Sequence, residues 1–167
     1  MELYVLRHAI AGAKSASIPG GDSQRALTPE GKKKMRRIAR GMKAMRLSFD
    51  LILSSPYVRA RQTADIVAET FRLEKRLELS PALTPDGAPG DLINELNKGH
   101  HGRKKILLVG HEPYLSNLIS VLLAGDTSLS IELKKGGLCK LSADTLRYGA
   151  CATLNWLLAP RQMRLIK

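Results

Sequence analysis

Three short stretches of this chain end apolar runs in side chains suited to binding and attacking an anion. "YVLRHAIAG" (residues 4–12) breaks off at Arg7 and His8, "SSPYVRARQT" (54–63) carries Arg59, and "VGHEP" (109–113) carries His111. A guanidinium can bind two phosphate oxygens at once, and an unprotonated imidazole is a nucleophile. Brought together, two arginines and two histidines would make a phosphate pocket with a candidate nucleophile. Taken singly, each has a plainer reading: a strand emerging into solvent, a structural histidine, or an exposed helix arginine such as Arg61 or Arg72. The two readings separate on whether one fold brings the three stretches to the same place.

The pattern around them predicts such a fold. Strand-like runs read "ELYVLRH", "DLILSS", "LELS" and "KKILLVGH", followed by "GGLCKLSA" and "ATLNWLLA". Helical patterns cover about 29–46, 57–73, 88–98 and 113–124. Pro29, Pro56 and Pro113 stand where three of these helices would begin, a position that tolerates a missing N–H. Thr28 and Ser55 precede two of those prolines as N-caps. Strand–helix alternation predicts an α/β three-layer sandwich, a mostly parallel central sheet with helices on both faces. Only "DTLRYG" separates the last two runs, which predicts a hairpin turning near Arg147–Gly149 and an antiparallel portion near the C-terminus. No repeat or linker interrupts the chain, so residues 1–167 read as a single domain.

In open α/β sheets, ligands bind beyond the carboxyl ends of the strands. The first, second and fourth strands would end there in Arg7 and His8, in the segment bearing Arg59, and in His111. With Pro56 starting the second helix, Arg59 falls in its first turn. Its side chain then leans back over the strand ends, where the helix N-terminus also favours an anion. A shared site requires the His8 and His111 rings to lie within roughly 8 Å, the reach across a hydrogen-bonded phosphate.

Composition narrows the class of protein. Apolar residues make up 44% of the chain, enough for a conventional core. Nothing approaches the roughly 18 consecutive apolar residues of a membrane span, and the start lacks a signal peptide's basic flank and apolar stretch. The expectation is a soluble, cytoplasmic protein with no membrane partner. Cys139 and Cys151 are too few for a disulfide framework and read as reduced. The 27 Lys and Arg against 15 Asp and Glu give a net charge of +12, a balance that attracts anionic partners. Much of it lies in "KKKMRRIARGMKAMR" (32–46), where Met35, Ile38, Met42 and Met45 form an apolar stripe and cations cover the remaining surface. A helix lying on a membrane or on nucleic acid is one reading; a core-packed helix with a solvated basic face is the favoured one. Aromatic residues are only 4% of the chain, too few for base-stacking platforms, which argues against nucleic acid.

"LRHA", "SPYVRARQT" and "GHEP", in that order, resemble the histidine phosphatase superfamily, whose signature is an Arg-His-Gly at the first strand. "RALTPEG" before the first helix matches a recurring element of that family. The compact length, the "DSQRALTPEG" and "PALTPDG" stretches and the terminal "TLNWLLAP" resemble its SixA-type phosphohistidine phosphatase branch. The resemblance runs nearly the whole chain and is most specific at Ser55, Pro56, Arg59, Ala60, Gln62 and Thr63. It implies that His8 attacks phosphorus and forms a phosphohistidine that water then hydrolyses. The attacking nitrogen must be unprotonated, with the other ring nitrogen held by a hydrogen bond. Arg7, Arg59 and His111 would hold the phosphoryl oxygens and stabilise the transition state. That scheme uses no metal and no cofactor. His100 and His101 in "KGHHGRKK" sit in a basic loop without nearby carboxylates or thiols, a poor ligand set.

Two departures from the family pattern matter. Ala9 replaces the motif glycine, so the backbone after His8 should not need a left-handed conformation. Many relatives also carry a carboxylate after the third strand to protonate an alcohol leaving group, and Ala82 stands where it is expected. Asp86, Asp22 and Glu112 remain as candidate acids, and none is assigned; Pro-Asp-Gly around Asp86 is also an ordinary turn sequence. An imidazole leaving group is far more readily protonated than an alkoxide, so P–N cleavage demands less of an enzyme acid. Short segments between the strands leave no room for a lid, and an open basic site suits a phosphorylated protein, which Arg25 would help to contact. The expectation is therefore a phosphatase for phosphohistidine on a protein. The alternatives are a phosphatase for small phosphate monoesters and a basic phosphate-binding module without turnover.

Overall fold

The computed structural model describes residues 1–166. Its centre is a six-stranded sheet built from β1 (Glu2–Arg7), β2 (Leu51–Ser54), β3 (Leu77–Leu79), β4 (Lys105–Gly110), β5 (Leu138–Ser142) and β6 (Thr153–Leu158), in the order β3-β2-β4-β1-β5-β6. The β3–β2, β2–β4 and β4–β1 pairs are parallel, whereas β1–β5 and β5–β6 are antiparallel. Helices α1 (Pro29–Ala44), α2 (Val58–Phe71), α3 (Pro89–Gly99), α4 (Tyr114–Ala124) and the short α5 (Pro160–Met163) cover it. This is the mixed α/β sandwich that the alternation predicts.

Strand side chains alternate faces, and the apolar residues sort accordingly into two cores. Leu3, Val5, Leu51, Leu53, Ile106 and Leu108 pack with α3 and α4 on one face. Tyr4, Leu6, Ile52, Leu107 and Val109 pack with α1 and α2 on the other. Both faces are buried, which is why these strands read as near-continuous apolar runs.

The helix starts divide. At α1, Thr28 caps as expected: its Oγ1 accepts from the Gly31 N–H at 2.9 Å, with Pro29 in the first turn. Met35, Ile38 and Met42 are buried, while Arg36, Arg37 and Arg40 face solvent. The helix stops at Ala44 rather than at 46, because Arg46 adopts a left-handed φ of 58°. At α2, Pro56 and Ser55 do not begin the helix; it starts at Val58 with Tyr57 as an uncapped N-cap residue. The Ser55 hydroxyl is engaged across the sheet instead. At α4, Pro113 is the N-cap residue, following a cis Glu112–Pro113 bond, and not the first helical residue. The β5–β6 connection spans 143–152, with Gly149 at φ 132°, a conformation that glycine tolerates. No helix among the described residues is long and apolar enough to cross a membrane.

Candidate active site

β1 and β4 lie side by side, and the His8 N–H donates to the Gly110 carbonyl at 3.0 Å, so the chain is tied where both histidines emerge. β2 runs through Ser54 and Ser55 into α2, whose second residue is Arg59. The His8 and His111 ring centroids are 5.2 Å apart, within the reach across a phosphate. Arg59 Nε donates to His8 Nε2 at 3.3 Å. All three side chains are enclosed: His8 is 4%, Arg59 3% and His111 1% exposed. Arg7 is half-buried; its Nη1 donates to the Leu133 carbonyl at 2.9 Å, and its Nε is buried without a partner among the described residues.

The hydrogen bonds assign the protons. His8 Nδ1 lies 2.7 Å from the Ala9 carbonyl. A carbonyl only accepts, so Nδ1 carries the proton and Nε2 presents its lone pair to Arg59. Burial pushes the His8 pKa down to about 3, and the Arg59, Arg7 and Arg25 guanidiniums act in the same direction against the Ala9 bond. Burial, then Arg59 and His8, likewise bring His111 to about 3. Both rings are neutral near pH 7. His111 Nε2 meets Ser55 Oγ at 2.8 Å, and its Nδ1 is buried with no partner among the described residues. Ala9 has no positive φ, in keeping with the loss of the motif glycine.

Neighbouring side chains fix this arrangement. Thr63 Oγ1 donates to the Arg59 carbonyl at 2.7 Å and accepts from the Ala9 N–H at 3.0 Å, joining α2 to the end of β1. Gln62 Oε1 accepts from the Leu27 N–H at 2.8 Å, fastening the segment before α1. The Tyr57 ring stands edge-on to His111 at 5.2 Å, with the Arg59 guanidinium 5.2 Å from its centroid. Sequence reading assigned no role to the Ser55 hydroxyl beyond a helix cap. Thr63 was legible in principle, since it lies four residues after Arg59 on the same helix face.

The three candidate carboxylates differ sharply. Asp22 grips Arg59: Oδ2 accepts from Nη2 at 2.9 Å, and its backbone carbonyl accepts from Nη1 at 2.8 Å. Arg25 lies 3.1 Å from the other carboxylate oxygen and donates to the Gly12 carbonyl. Burial would raise the Asp22 pKa, but Arg59 and Arg25 outweigh it and hold the carboxyl below the ordinary aspartate value. Glu112 is half-buried beside His111, accepts from Ser116 Oγ, and has an unpartnered buried Oε1. Burial raises its pKa against Ser116 and Arg7. Asp86 is exposed and bonds to none of these groups. His100 pairs with Glu78 at 3.7 Å, and no metal-holding group of three or more His, Cys, Asp or Glu occurs among the described residues.

The fold and this cluster define an α/β protein with two neutral histidines and an arginine enclosed at the carboxyl ends of β1, β2 and β4. The profile of the histidine phosphatase superfamily (branch 1) matches residues 3–84. The Phosphohistidine phosphatase SixA of Escherichia coli is 28% identical over 168 residues, covering 100% of this chain and 99% of the relative. The SixA homolog of Haemophilus influenzae is 31% identical over 130 residues, covering 73% of this chain and 77% of the relative. A solved structure of the protein histidine phosphatase SixA complexed with tungstate superposes with a TM-score of 0.82 at 27% identity, covering 98% and 99% of the two chains. The chain belongs to the histidine phosphatase superfamily, and it is a hydrolase of that superfamily.

Proposed function

We propose that this protein, acting as one catalytic domain over its whole length, removes phosphate from phosphohistidine on a protein through a phosphohistidine intermediate on His8. The observation that carries the reading is the state of His8: buried, neutral, with its proton held on Nδ1 by Ala9 and the Nε2 lone pair facing Arg59. Nε2 attacks phosphorus as the P–N bond to the substrate imidazole breaks, and that ring, protonated from solvent on its other nitrogen beforehand, leaves as neutral imidazole. Water then attacks the phosphorus on His8, releasing orthophosphate and the neutral ring. Arg7, Arg59 and His111 Nδ1 hold the equatorial oxygens as charge develops on them. Phosphate has to exchange with Asp22 on the Arg59 fork, and Arg25 then faces the incoming group. Similarity to the SixA phosphohistidine phosphatases supports the substrate class. Cytoplasmic residence belongs to the same reading.

A base-quenched reaction should trap an acid-labile phosphohistidine. His8→Ala should abolish both label and turnover, and Arg59→Ala should cut kcat by roughly 10²–10³-fold. Retained turnover in His8→Ala would point to direct attack by water. One observation favours a second reading: Glu112, with its raised pKa and orphaned Oε1, is suited to protonate an alkoxide, as hydrolysis of a small phosphate monoester requires. Comparing kcat/KM on a phosphohistidine protein and on small monoesters decides between them. A tenfold advantage for a monoester, lost in Glu112→Gln, would overturn the phosphohistidine assignment.

A further inference from the structure

The seam between α1 and α5 carries a cationic groove. α5 docks closely on α1: a Cβ on Gly41 would collide with the Met163 carbonyl, and Met163 is buried. Beside this contact, Arg37, Arg40, Ala44, Arg164 and Ile166 line a cleft of about 410 Å³. Arg37, Arg40 and Ala44 fall at spacings of three and four on one face of α1. Arg164 also lines a smaller hollow, of about 100 Å³, with Ala9, Ile10, Lys34, Ile38 and Lys135. Ala9 and Ile10 directly follow His8, so the smaller hollow lies beside the segment that carries His8.

The charges along these hollows are unmatched. Lys34 pairs with Glu30. Arg37, Arg40, Lys135 and Arg164 have no carboxylate within ion-pair distance among the described residues. Arg164 Nε donates to the Pro160 carbonyl at 3.3 Å, which pins the guanidinium over the seam. Three arginines around an apolar floor of Ala44 and Ile166 suit carboxylates on an amphipathic segment, because the planar fork binds carboxylate bidentately while the floor takes its apolar side. Nucleic acid fits less well, since no aromatic side chain lines either hollow for stacking.

We infer that this groove docks an acidic surface segment of the phosphoprotein substrate, rests on the phosphohistidine reading for its purpose, and holds the substrate so that its phosphoryl group reaches His8. The probes are two phosphohistidine peptides, one bearing a six-glutamate segment and the other glutamines in its place, together with free phosphohistidine. In Arg37→Glu/Arg40→Glu, kcat/KM on the glutamate peptide should fall tenfold or more, mainly through KM. The glutamine peptide and free phosphohistidine should be hydrolysed as by the wild type, which also controls for folding. Binding of a fluorescein-labelled glutamate peptide without phosphate, followed by anisotropy, should weaken in parallel and lose part of its salt dependence. Equal losses on all three substrates, or unchanged peptide binding, would overturn the docking groove. So would tighter capture of a thymidine oligonucleotide of the same charge than of the peptide. Wild-type failure on every phosphohistidine probe would sink the substrate reading instead, while the anisotropy arm would still decide whether the groove takes an acidic peptide.

Discussion

At the scale of single residues, the pocket is governed by what burial does to two imidazoles. His8 and His111 titrate near 6.5 when unfolded and near 3 in the fold. Between those values the unfolded chain binds more protons than the native one, so stability falls as pH falls. Each histidine should remove about 1.4 kcal/mol per pH unit across that window. Urea unfolding at pH 7 and pH 5 checks this: the loss should be visibly smaller in His111→Gln, and equal losses would mean the rings titrate normally. Ser55→Ala probes the other constraint. It leaves His111 Nε2 buried without its 2.8 Å partner, a defect costing about 1–3 kcal/mol. Stability should drop by that amount, and kcat should drop with it as His111 loses its orientation. Arg7, His8 and His111 were legible as polar side chains closing apolar runs, and Arg59 as a first-turn residue of the helix after the second strand. The Asp22 grip on Arg59 was not, because its partners stand 37 residues apart and only the loop path joins them.

At the scale of elements, the helix starts show which local signals held. Thr28 and Pro29 form a true cap because nothing else competes for the Thr28 hydroxyl beyond the Ile10 carbonyl. Thr28→Ala should therefore cost about 1 kcal/mol, read from the urea midpoint. Ser55 has the same local look, yet its hydroxyl is drawn to His111, and α2 begins three residues later. The same oxygen accepts from the Tyr57 N–H at 3.3 Å, so its local bond closes a turn before the helix and does not cap it. α5 escaped notice because four residues are too few for a helical period to show. Its docking makes Gly41→Ala a sharp test: the new methyl must displace the Met163 backbone, with an overpacking cost of about 1–3 kcal/mol. An unchanged midpoint would show that α5 is loosely attached.

At the scale of the whole molecule, anion binding should be coupled to folding, because the pocket is assembled from β1, β2, β4 and α2 and cannot persist in the unfolded chain. Orthophosphate or tungstate at about 100 times its Kd should stabilise the protein by about 2.7 kcal/mol, seen as a rise in Tm. Arg59→Ala should lose that rise, whereas Arg37→Glu/Arg40→Glu should keep it, separating the pocket from the groove.

The sequence by itself determined the strands, their two faces and the polar groups at their ends. The strands show as near-continuous apolar runs and α1 as a stripe of period 3.6, and a local window contains both. The sequence also contained the antiparallel close of the sheet. Only the tertiary structure decided the strand order β3-β2-β4-β1-β5-β6, and with it that the ends of β1 and β4 lie side by side. That order rests on which edge pairings let the helices cover both sheet faces best, an energy shared by the whole chain and written in no single segment. The bond from Ser55 to His111, the Asp22 clasp and the arginine seam all descend from it. Each joins residues distant along the chain, and a side chain's partner is set by where the backbone brings it.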